Sequence, residues 1–132
     1  MRAAPARTAT RAALAVAVLL AACRVASAEP AQYHGAIGYS PATGAMGWSF
    51  DYPNPKDARD VALTRCAEHA TDCAIVVEFK NGCGVVVEGH RLQTAAGSPS
   101  RSDAGRMALR RCQTRTEGCV VRRWVCTTRS MY

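Results

Sequence analysis

The residues in this chain best able to do chemistry are its seven cysteines, and their spacing says which chemistry. Cys66 and Cys73 stand seven apart, as do Cys112 and Cys119; Cys83 and Cys126 complete an even six, and Cys23 lies alone near the start. Zinc ligands usually come as close pairs such as Cys-x-x-Cys, which this chain lacks. A catalytic thiol needs an unpaired, exposed cysteine beside a base. The one odd cysteine, Cys23, falls in a targeting segment. Disulfides are the chemistry that fits. Six cysteines admit many pairings, and the set that respects the internal spacing is Cys66–Cys73, Cys112–Cys119 and Cys83–Cys126.

Other chemistry finds less support. Glu78 and Glu88 flank Asn81-Gly82 and could form a carboxylate pair for glycoside hydrolysis. The plainer reading makes them strand acids that counter Arg122 or Arg123. His34, His69 and His90 fall before a strand or in turns, where imidazoles are solvated. Ser40, His90 and Asp51 can be assembled on paper into a triad, but no Gly-x-Ser-x-Gly elbow supports it. No catalytic residue, metal ligand or cofactor is therefore expected.

The elements that carry these residues come twice. Asp57-Ala58, Ala62-Leu63, Arg65-Cys66 and Cys73 recur 46 residues later as Asp103-Ala104, Ala108-Leu109, Arg111-Cys112 and Cys119. Such internal similarity marks a duplicated supersecondary unit. Residues 34–82 form repeat one and 83–127 repeat two. In repeat one, 35–40 and 45–50 read as strands around a Pro-Ala-Thr-Gly turn. Asn54-Pro55-Lys56-Asp57 starts a helix, with a cap, a first-turn proline and an acid at its positive end. Residues 73–79 make an apolar strand, and Asn81-Gly82 is a hairpin signal. Repeat two reads as strands at 85–88 and 92–96, a helix capped by Ser100 or Ser102, and a final strand at 119–126. Gly105 weakens that second helix. The expected fold is α+β: two β-β-α-β repeats in one mainly antiparallel sheet, with both helices on one face, stapled by disulfides.

The ends and the charge bound the setting. Residues 1–28 read as a signal peptide: three arginines by Arg11, an apolar run from Ala12 to Ala22, then Ala26-Ser27-Ala28. Leu20-Ala21-Ala22-Cys23 also reads as a lipobox, which would lipidate Cys23 and tether the protein; the Ala-Ser-Ala site favours the free form. Residues 29–132 are then a single domain, periplasmic or secreted, or lipid-anchored to the envelope. The full chain carries +7, but four of its 17 basic residues lie in 1–28, leaving about +3 against 10 acids. Residues 34–82 hold four basic and six acidic side chains, and residues 83–132 nine and three, so the second half is the cationic one.

Gly35-Ala36-Ile37-Gly38-Tyr39-Ser40, Gly44-Ala45-Met46-Gly47-Trp48-Ser49, Asn81-Gly82-Cys83-Gly84 and Trp124-Val125-Cys126 together resemble the small exported bacterial proteins grouped as domain of unknown function 4189. The resemblance spans roughly 33–127. It implies a secreted or periplasmic α+β domain with disulfides, and no reaction. Members often carry a second Gly-Trp-rich strand where this chain has Leu92-Gln93-Thr94-Ala95-Ala96-Gly97, so a surface built on paired tryptophans is not expected.

The function these features suggest is a non-catalytic binding module of the bacterial envelope or secretome. Its candidate surface is Arg106, Arg110, Arg115 and Arg122, with Trp48 and Tyr39. The partner would be a protein or an anionic envelope component. A membrane would be engaged only through a lipidated Cys23, and nucleic acid is not expected. The alternatives are a hydrolase using Glu78 and Glu88, or a structural or stress-related envelope protein.

Overall fold

A computed structural model describes residues 2–4 and 29–129. Apart from residues 2–4, the expected signal peptide, Cys23 included, lies outside the described residues. The order of elements is β1 (His34–Tyr39), β2 (Met46–Tyr52), α1 (Pro55–Ala67), β3 (Ala74–Lys80), β4 (Cys83–Glu88), β5 (Gln93–Ser98), α2 (Arg101–Gln113) and β6 (Val120–Cys126). The helices start where local chemistry demands. Asn54 is extended and its side chain accepts from Asp57 N at 2.8 Å; Ser100 is extended and accepts from Asp103 N at 3.1 Å. Each cap satisfies a backbone donor that the first turn leaves without an intrahelical partner.

Both helices bury a narrow stripe of small residues: Ala58, Ala62 and Cys66 in α1, Ala104, Ala108 and Cys112 in α2. Small stripes let a helix settle close to a sheet. Gly47 completes the fit, since a Cβ there would fall 2.2 Å from the Cys66 backbone nitrogen. Buried hydroxyls fasten the layers. Ser49 donates to Ala58 O at 2.6 Å and Thr94 to Ala108 O at 2.7 Å, so neither polar group is stranded in the interior.

The strands divide into two antiparallel sheets, β2-β1-β3 and β5-β4-β6, which corrects the expectation of one continuous sheet. The sheets face each other across a core of Ile37, Tyr39, Val77, Phe79, Val86 and Val125. On the outer side of the first sheet Ala36 packs with Ala58 and Ala62 of α1; on the outer side of the second, Val85 and Val87 pack with Ala104 and Ala108 of α2. The order of layers is helix, sheet, sheet, helix, with the helices on opposite outer faces rather than one. The physical reason lies in the central strands. β1 and β4 are apolar at consecutive positions (Ala36-Ile37 and Val85-Val86-Val87), so both faces of each must be covered. One sheet with both helices on a single face would leave the other face wet.

Asn81-Gly82 is correspondingly not a hairpin turn within a sheet, because β3 and β4 belong to different sheets. It is the crossing between them. Asn81 takes φ 44°, accepts from Tyr33 N and donates to Tyr33 O, both at 2.9 Å, while Gly82 O accepts from Thr127 N at 2.8 Å. At the sheet interface the Arg123 guanidinium stacks over Trp48, 4.0 Å from the ring centroid.

Three disulfides close the structure: Cys66–Cys73, Cys112–Cys119 and Cys83–Cys126, the pairing that the spacing suggested. The first two join each helix end to the strand that follows. The third cross-links β4 to β6 at paired positions. Cys83–Cys126 closes a separation of 43 residues against 7 for Cys66–Cys73. Loop-closure entropy grows with loop length. Replacing Cys83 and Cys126 by alanine should therefore destabilise the domain by about 1–2 kcal/mol more than replacing Cys66 and Cys73, on a base of about 2–4 kcal/mol for a typical bridge. Urea denaturation of the two double variants checks this.

Candidate functional site

α2 lies across β5 and β4 and leaves the outer face of β6 largely uncovered. Val121 and Trp124, paired with Val87 and Val85, point to that outer face and stay 40% and 47% exposed. Between them and the helix runs a groove of about 570 Å³, floored by Val85, Leu109, Val121 and Trp124 and rimmed by Arg101 and Arg106. Arg101 stacks on Trp124, 3.8 Å from the ring centroid. Arg106 is hydrogen-bonded to Asp103 one turn back. Gly105 sits in the middle of the groove wall, and a Cβ there would meet no atom within 4 Å. Glycine inside a helix is costly, and nothing packed against this one requires it. Its effect is to keep the groove open.

The first unit shows what the same place looks like when closed. Forty-six residues before Gly105 and Trp124 stand Arg59 and Glu78. Arg59 on α1 reaches Glu78 on β3 at 2.8 Å and bridges helix to strand. In the second unit the bridging arginine is replaced by glycine and the glutamate by tryptophan. A polar clasp becomes an open apolar slot.

The six candidate surface residues do not form one surface. Arg106 alone borders the groove. Arg110 is exposed on α2, and Arg115 lies beyond the helix end beside Arg111. Trp48 is half-buried on the inner face of the first sheet, under Arg123. Tyr39 and Arg122 instead meet at Glu88, where β1 and β4 end. The Tyr39 hydroxyl donates to Glu88 Oε1 at 3.0 Å and Arg122 Nε approaches Oε2 at 2.9 Å. Glu78 and Glu88 thus sit on different sheets, each held by its own arginine, and do not converge. Ser40 is bonded to Asp72 and Asp51 to Thr128, so neither is directed at His90. Among the described residues no group of three His, Cys, Asp or Glu side chains is placed to hold a metal.

Arg101 and Trp124 escaped the sequence reading as site residues. The signal that could have found them was the 46-residue comparison itself, read for what differs between the units as well as for what matches.

The chain matches the family model described as Domain of unknown function (DUF4189) over residues 34–126, and it belongs to that family. It is similar in fold to the NMR structure of Rv1813c from Mycobacterium tuberculosis, with 23% identity and a TM-score of 0.57, over 96% of this chain and 98% of that one. No curated protein matches the chain. Among the described residues no helix is long and apolar enough to cross a membrane.

Two expectations follow from the local physics. Burial, reinforced by the hydrogen bond and negative charge of Glu88, raises the Tyr39 hydroxyl to about 12, against a smaller opposing effect of Arg122. The folded protein then holds a proton that the unfolded chain releases near pH 10, so stability falls as pH rises from about 10 to about 12. Ultraviolet titration should show the Tyr39 phenolate forming late, and Glu88→Gln should bring it down. At the groove, Gly105→Ala should stabilise the domain by about 0.5–1 kcal/mol, because the helix gains and nothing is displaced. Thermal denaturation would show a loss instead if the position were sterically tight.

Proposed function

We propose that this domain is an exported, non-catalytic binding module and that the groove between α2 and β6 is its contact site. The observation that carries the reading is the pairing of an open apolar slot with a cationic rim, at the place where the first unit has an ion pair. Residue types support it further. Three disulfides suit an oxidising compartment, and residues 83–132 carry nine basic against three acidic side chains. Half-exposed tryptophan and arginine are the side chains most often found as binding anchors. The hydrolase alternative loses its basis, since Glu78 and Glu88 are separately engaged by Arg59 and Arg122.

The test is photo-crosslinking in cells that produce the full chain. A benzophenone side chain at Val121 should give a discrete adduct, and one at Lys56, on the opposite outer face, should not. The adduct should vanish when Gly105→Arg and Trp124→Glu together restore the clasp found in the first unit. No adduct at Val121, or equal labelling at Lys56, would overturn the assignment.

A further inference from the structure

Resting on that reading of the groove, we propose that its occupant is a free single-chain acidic amphiphile, with the apolar chain lying along Val85, Leu109, Val121 and Trp124 and the acidic head at Arg101.

The floor sets the body of the ligand. Its four side chains are aliphatic or aromatic, and the one hydrogen-bonding group among them is the indole N–H. Along the floor a peptide would lose water from its backbone amides and find one side-chain donor, the indole N–H, and no acceptor, so most of those amides would be left unpaired. An acyl chain brings no such groups. The slot of about 570 Å³ is of small-ligand size, within the roughly 300–1,000 Å³ usual for such sites.

The rim sets the head. Arg106 shares its charge with Asp103, whereas Arg101 has no carboxylate partner among the described residues. Its guanidinium carbon lies over the Trp124 ring at 3.8 Å from the centroid, and a guanidinium engaged through its face keeps N–H groups to fork onto a carboxylate or phosphate. It is also the first residue of a thirteen-residue helix, whose positive end favours an anion nearby.

The same charges disfavour other occupants. A second copy would bring Arg101 and Arg106 against their own kind. A strand added to the free edge of β6 would meet the register break between Val121 and Arg123, where Arg122 is the extra residue. Such a bulge blunts an edge as a template.

The experiment is calorimetric titration of the protein, purified from cells that produce the full chain, with three twelve-carbon probes below their micelle concentrations: dodecanoate, dodecyltrimethylammonium and dodecyl maltoside. Dodecanoate should bind at one site, at least about tenfold tighter than either of the others, the worth of one charge-assisted contact. Arg101→Gln should remove that preference and leave maltoside binding unchanged. Gly105→Arg with Trp124→Glu should abolish binding while the circular dichroism stays native. If that pair fails to fold, Gly105→Leu fills the slot on the helix side alone and should have the same effect.

Equal binding of the three probes would overturn the proposal, as would retention of dodecanoate by a filled groove. Binding to phosphatidylglycerol vesicles without binding of monomeric dodecanoate would also overturn it, in favour of a membrane surface. A Val121 crosslink to a protein, with no dodecanoate binding, would refute this ligand class while leaving the groove as the contact site.

Discussion

The structure depends on one constraint: the central strand of each sheet is apolar on both faces. Ile37 and Tyr39 of β1 and Val86 of β4 share the inner core, while Ala36, Val85 and Val87 press outward on the helices. A strand of this kind cannot sit at a surface. Everything else answers that demand. Each helix presents alanines and a cysteine, which let it lie close over its sheet. The sheets pair because their inner faces have no other cover. The disulfides then hold in place a core too small to be generous, as is common for domains of about a hundred residues.

Much of this was legible in the chain. The caps at Asn54 and Ser100, both helices, the strands and the disulfide partners follow from local chemistry and from the 46-residue spacing. The partition into two sheets did not. It depends on which face of β3 meets which face of β4, and the Asn81-Gly82 dipeptide suits a hairpin and a crossing equally well. What distinguishes the two is the remote grip of Tyr33 and Thr127, which no window of sequence displays. Candidate side chains fared according to what they touch. Composition groups the arginines as one class, yet Arg59, Arg65, Arg111, Arg122 and Arg123 are occupied by Glu78, the Trp48 carbonyl, the Ala95 carbonyl, Glu88 and the Trp48 ring. Five of the eleven arginines in residues 29–129 are thus engaged at joints between elements. Arg101 was passed over because nothing in its neighbourhood of the chain announces Trp124, more than twenty residues on.

The two units also carry different side chains on similar frames. The small residues on the buried faces of α1 and α2, which let each helix lie close to its sheet, match. What fills the helix-to-strand gap is set by two positions that face it and bear no packing load. Exchanging an arginine and a glutamate there for glycine and tryptophan alters the surface and leaves the layers alone. The cost of Gly105 falls on the helix, where a capped terminus and a disulfide are at hand to absorb it.

The crossing at Asn81-Gly82 has a consequence for how the polypeptide is threaded. Tyr33, where the domain is entered, is bonded to Asn81, and Thr127, where it is left, is bonded to Gly82. Entrance, midpoint and exit share one corner, and Arg129 lies over Tyr33 beside them. The path is a loop closed on itself, made of two lobes that meet at a single knot. Exchanging the order of the two lobes along the chain would disturb no strand pairing within either sheet and no contact of either helix.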